Sequence, residues 1–152
     1  MSARDLRGEA VQVLLVEDEP AHAELVIRSF QNIGVANRIN HVMDGEAALD
    51  YLFRRGEYAD PEKSPTPNLI LLDLRLPKVD GLEVLRATKA DEVLRRIPVV
   101  VLTTSDAESD VARAYENHAN SYLVKPVDFK AFGKLMTDLG FYWLAWNRHP
   151  WG

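Results

Sequence analysis

Glu17, Asp18 and Glu19 are three consecutive carboxylates that follow the apolar run Leu14-Leu15-Val16 and stop at Pro20. Packing gains nothing from three like charges side by side, so their presence at the end of an apolar segment points to chemistry. Asp73 ends a second apolar run, "NLILLD". Thr103 ends a third, "IPVVVLT", and Lys125 follows the short segment "SYLV". Clustered carboxylates repel, and without a partner the pKa of at least one rises. A divalent cation removes the conflict. Hard oxygen donors suit Mg²⁺, which keeps several waters and leaves room for a phosphate oxygen. With such an ion beside it, Asp73 has the makings of a nucleophile that forms an aspartyl phosphate. Lys125, Thr103 and the cation would then hold the phosphoryl oxygens, the charge-neutralising work that phosphoryl transfer demands.

These residues converge only if the intervening elements bring them to one edge. "VQVLLV" (11–16) is short, apolar and β-branched, as a buried strand is. Pro20 suits the first turn of a helix, and Ala23, Val26, Ile27, Phe30 and Ile33 continue at helical spacing up to Gly34. "NRINHV" (37–42) is a weaker strand, and 44–56 is helical with Ala47, Ala48, Tyr51 and Leu52 on one face. The segment 57–67 holds three prolines and many polar residues and is expected to be a loop. Strands are expected at 68–73, 97–103 and 121–124, and helices at 81–90, 106–119 and 127–146. Apolar strands that alternate with helices imply a parallel sheet covered on both faces. The fold class is therefore α/β, a doubly wound five-stranded parallel sheet with five helices. In such sheets the site lies beyond the carboxyl ends of the strands. Those ends are where Glu17, Asp18, Asp73, Thr103 and Lys125 fall.

Composition narrows the function. The chain has 152 residues, 47% hydrophobic and 27% charged, with a net charge of −5 and no cysteine. That is a globular balance for one domain. No basic face is offered to phosphates, so a nucleic-acid partner is not expected. Disulfides, thiolate chemistry and cysteine-bound zinc are excluded. No apolar run approaches the roughly 20 residues of a membrane helix, and a cytoplasmic protein without membrane contact is expected. The organisation expected is a polar N-terminal tail (1–10), a single domain over 11–146 and a C-terminal tail (147–152).

With four segments in this order, "LLVEDEP", "LILLDLRLPKVDG", "VVVLTTS" and "YLVKP", the chain resembles the receiver domain of two-component response regulators. The likeness spans about residues 11–140. It implies the flavodoxin-like receiver fold with strand order 2-1-3-4-5. It also implies Asp73 as phosphoacceptor, Lys125 and Thr103 as phosphate-binding lysine and switch hydroxyl, and Tyr122 as the aromatic that turns with the switch. Glu17 and Asp18 become the acidic pair of a Mg²⁺ (or Mn²⁺) site, with Asp18 the more direct ligand. Asp73 and the backbone carbonyl of Arg75 complete it, and Pro77 and Gly81 match the turn that follows. The family's acidic pair is often two aspartates, so Glu17 is a variant. The longer loop 56–67 and the ending "GFYWLAWN" resemble single-domain regulators paired with bacterial phytochromes and related histidine kinases. The function implied is a non-enzymatic phosphoacceptor switch, driven by a sensor histidine kinase, with a phosphorelay intermediate or an unphosphorylated scaffold as the alternatives.

Plainer readings stand beside these. Glu19 sits where a helix begins and suits the helix dipole. Thr103, Thr104 and Ser105 are all able to cap the next helix, and Tyr122 is equally a core residue. The Arg75 side chain either shields a phosphoaspartate or is solvated. His22, His41, His118 and His149 share no ligand spacing and are expected to be structural or solvent-facing. A dinucleotide dehydrogenase would need G-x-G-x-x-G after the first strand, and none is present. A haloacid-type phosphatase would need an acid where Arg75 stands. Finally, Phe132, Leu135, Met136, Leu139, Tyr142, Trp143 and Trp146 form one helical stripe that outruns a five-stranded sheet. Surplus aromatics at an edge suit association. A two-fold homodimer through the last helix and Tyr142, Trp143 and Trp146 is expected.

Overall fold

A computed structural model describes residues 10–146. The two expected tails lie almost entirely outside that span. Five strands, β1 (Val11–Val16), β2 (Asn37–Val42), β3 (Leu69–Leu72), β4 (Val99–Thr103) and β5 (Ser121–Val124), form one sheet in the order 2-1-3-4-5. Every neighbouring pair is parallel. Five α-helices connect and follow them: α1 (Pro20–Gln31), α2 (Gly45–Leu52), α3 (Gly81–Ala90), α4 (Glu108–Glu116) and α5 (Phe129–Gly140). The expected fold class and strand order are both found.

The three central strands β1, β3 and β4 lack polar alternation because both of their faces are covered. Leu14, Val16, Ile70, Leu72, Val99 and Val101 point into a core with α2, α3 and α4. Their neighbours Val13, Leu15, Leu69, Leu71, Val100 and Leu102 point into a second core with α1 and α5. Successive side chains on a strand face opposite ways, so one apolar run supplies both cores. The two edge strands differ: β2 buries only Val42, and in β5 Ser121, Tyr122 and Leu123 are half-buried and Val124 is exposed.

Three helices are shorter than their sequence pattern. The second was expected over 44–56 but closes at Leu52, because Arg54 turns into the left-handed region at φ 53°. Its guanidinium bonds Thr66 Oγ1 at 3.1 Å and so ties the 57–67 segment back to α2. The fourth was expected over 106–119 and is Glu108–Glu116, with His118 left-handed at φ 68°. The last was expected as one helix over 127–146. It is α5 followed by a π-helical segment, Phe141–Trp146. That change of pitch alters which faces the terminal aromatics take. Trp143 and Leu144 are buried in the α1–α5 core, while Tyr142 is 54% exposed. Trp143 is thus spent on the domain's own core and is not an exposed association residue as expected. The side chain of Trp146 lies outside what is described.

Candidate phosphoryl-transfer site at the carboxyl edge

The order 2-1-3-4-5 places β1 beside β3, with the chain having turned away to β2 in between. At such a reversal the connections leave a crevice beyond the strand ends. Ladder bonds bring the next residues flush there. The Glu17 amide donates to Val42 O (3.1 Å), the Asp73 amide to Val16 O (3.1 Å), and the Lys125 amide to Thr103 O (2.7 Å). His41 adds a side-chain tie, its Nε2 lying 2.7 Å from the Glu17 carbonyl. A carbonyl only accepts, so His41 carries its proton on Nε2.

Glu17, Asp73 and Lys125, three of the side chains that meet there, are buried, and Asp18 is half-buried. Lys125 Nζ donates to Glu17 Oε1 at 2.5 Å and to Asp73 Oδ2 at 2.8 Å, and all three groups are nearly solvent-free. Carboxylate oxygens of Glu17, Asp18 and Asp73 lie within 4.8 Å of one another. One ammonium does not balance three carboxylates. Burial pushes the Glu17 carboxyl up to about 7, against the pull of Lys125 and with Asp73's charge adding to the push. This donor set fits a hard divalent cation: it is all oxygen, anionic, clustered and short of positive charge. Glu17, Asp18 and Asp73 could therefore hold a metal.

The expected residues are not all in direct contact. Thr103 is fully buried at the end of β4, and its Oγ1 accepts from the Ser105 amide at 3.4 Å. The Tyr122 hydroxyl donates to the Ser105 carbonyl at 2.8 Å, so it is tied to the β4–α4 loop rather than free in the core. The Arg75 amide donates to Asp73 Oδ1 at 3.1 Å and orients that carboxylate. Its guanidinium is neither simply solvated nor over Asp73. It reaches Asp110 Oδ2 at 2.5 Å, the same oxygen that accepts from Ser105 Oγ at 2.6 Å. Asp110 is buried on α4. Sequence reasoning missed it, because an acid in a helix's first turn is indistinguishable from a dipole partner. It also missed His22, whose Nδ1 lies 3.1 Å from Lys125 Nζ. The only signal for His22 was its place one turn after Asp18.

Gly81 closes the turn beneath Asp73. Its amide donates to Leu74 O at 2.9 Å, and a Cβ there would lie 2.2 Å from Asp73 O and 2.5 Å from Leu74 Cα. Backbone cannot yield as a flexible side chain can. Gly81→Ala is expected to cost about 2–3 kcal/mol by urea unfolding, and to weaken Mg²⁺ binding as Asp73 is displaced. Unchanged stability would mean that the turn is looser than described.

Residues 13–137 match the family described as "Response regulator receiver domain". The chain is 51% identical over 138 residues to the probable methanogenesis regulatory protein FilR2 of Methanothrix harundinacea, covering 91% of this chain and 86% of that protein. It is 46% identical over 132 residues to response regulator Rcp1 of Synechocystis, covering 87% and 88%. The Mn²⁺-bound crystal structure of Rcp1 superposes with a TM-score of 0.87 over 92% of this chain and 99% of that one. A phosphorylated cyanobacterial phytochrome response regulator, RcpA, is 39% identical with a TM-score of 0.88, covering 93% and 99%.

Proposed function

The chain belongs to the receiver-domain family of response regulators, and from that premise we propose that Asp73 accepts a phosphoryl group from a histidine kinase and that the change is passed to a protein-interaction surface. The observation that carries this reading is the Lys125 ammonium bridging Glu17 and Asp73 at the carboxyl edge. A carboxylate held by one lysine in a nearly dry cluster is aimed and partly neutralised, as in-line transfer requires. An Asp73 oxygen attacks phosphorus, the P–N bond of the phosphohistidine breaks, and its electron pair returns to the imidazole. Glu17, Asp18, Asp73 and the Arg75 carbonyl would hold Mg²⁺ or Mn²⁺, which supplies charge neutralisation of the phosphoryl oxygens when bound. Lys125 takes one phosphoryl oxygen and the Thr103 hydroxyl another. As Thr103 moves toward the phosphoryl group it releases the Ser105 amide, and the loop that holds Tyr122 through Ser105 O moves with it.

The input is a sensor histidine kinase. A phytochrome-type kinase is the specific candidate, supported by the likeness to Rcp1 and RcpA. No helix among the described residues is long and apolar enough to cross a membrane, and a cytoplasmic location suits such a partner. Incubation with acetyl phosphate and Mg²⁺ should add one hydroxylamine-sensitive phosphate per chain, and EDTA should abolish it. Labelling that ignores EDTA would overturn the metal-assisted reading. Homodimerisation through α5 and the following segment is supported by the exposed Phe141 and Tyr142, not by Trp143. Light scattering that returns a monomer at tens of micromolar, with and without phosphorylation, would overturn it.

A further inference from the structure

Lys125 has three ammonium protons and three acceptors: Glu17 Oε1, Asp73 Oδ2 and His22 Nδ1. Its side chain is 2% exposed, so water does not replace a lost partner. The first two acceptors are the groups that the proposed reaction changes. Once Asp73 carries a phosphoryl group and Glu17 serves a cation, neither carboxylate anchors the ammonium as before. His22 Nδ1 is the acceptor that the reaction leaves untouched.

We propose that His22 is a positioning residue for Lys125, its Nδ1 holding the ammonium in place while Glu17 and Asp73 change roles. The proposal rests on the assignment of Asp73 as phosphoacceptor. The fold supplies the ring's orientation. Pro20 starts α1, and long side chains on a helix lean back toward its N-terminus, here toward the strand ends. The ring packs against Phe129 at 5.7 Å and edge-on against Phe132 at 5.4 Å, both from α5. Burial and then the charge of Lys125 hold its pKa below the usual value, against the opposing carboxylates of Glu19, Asp73 and Asp18. A neutral ring accepts at Nδ1 and carries its proton on Nε2, and an ammonium beside it needs that tautomer.

Two substitutions separate the acceptor from the ring. His22→Phe keeps an aromatic against Phe129 and Phe132 but offers no acceptor. His22→Asn offers an amide oxygen at the same branch position without the ring. A hydrogen bond to a charged group carries enough energy that its loss slows phosphorylation by acetyl phosphate and Mg²⁺ about tenfold in His22→Phe. His22→Asn should recover most of the wild-type rate. The opposite order, with phenylalanine normal and asparagine slow, would mean that the ring only packs, and the proposal fails. Nitrogen-15 NMR of the unphosphorylated wild type gives an independent reading. Nδ1 should be unprotonated and Nε2 protonated at pH 7, and a protonated Nδ1 overturns the proposal. If Asp73→Asn is labelled as well as wild type, the phosphoacceptor assignment fails instead, and the NMR result still decides the Lys125–His22 contact.

Discussion

Asp73→Asn is expected to take up no phosphate from acetyl phosphate and Mg²⁺ under conditions that fully label the wild type. The amide is nearly isosteric and keeps one oxygen, which serves the Arg75 amide or Lys125 but not both; Glu17 still holds the ammonium, so the fold should stay intact. What it lacks is the anionic oxygen that bonds to phosphorus. Removing a nucleophile costs on the order of a thousandfold or more in rate, which in this assay is a blank. The substitution also removes one of three mutually repelling carboxylates. Its charge contributes to the upward push on Glu17, so Glu17 should ionise more readily in the variant. Urea stability without divalent cation should be equal to wild type or higher, while Mg²⁺ affinity falls. Phosphate on the Asp73→Asn chain at the wild-type level would relocate the acceptor.

Lys125→Met should be the most destabilising change at the site. It leaves Glu17 and Asp73 buried with no cation, and Lys125 is buried with them. Two carboxylates bereft of their shared partner cost about 3–5 kcal/mol, more than the intact cluster contributes, because the desolvation penalty remains when the attraction is gone. Unfolding in urea at pH 7.5 with EDTA should show that loss. Mg²⁺ should restore part of it by supplying the missing charge. So should acid. A carboxyl raised from 4.5 to about 7 binds more protons folded than unfolded between those values, so stability rises as pH falls from 7 toward 4.5. Without Lys125 the push on Glu17 is stronger, so that window extends to higher pH. A variant as stable as wild type in EDTA at pH 7.5 would mean that solvent reaches these carboxylates and the cluster is not dry.

The site was legible in the sequence to the extent that its residues sit at strand ends. Glu17, Asp18, Asp73, Thr103 and Lys125 could be named because each terminates or follows an apolar run, and a parallel sheet gathers all such ends at one edge. Tyr122 was left between switch and core. The structure ties its hydroxyl to Ser105, an option that no local pattern encodes. Arg75 was undecided because its partner, Asp110, lies 35 residues away. His22 was set aside for having no ligand spacing. It matters through Lys125, 103 residues later.

The sequence by itself determined the five strands, the doubly wound class and the residues available to the carboxyl edge, because hydrophobic period and strand-end position are local properties. The tertiary structure alone decided how those residues share charge. One lysine serves Glu17, Asp73 and His22, Arg75 turns away to Asp110, and Trp143 enters the core because a π-helical segment shifts its face. Partnerships of this kind depend on distances across the fold and on burial, and neither is carried by residue type or spacing along the chain.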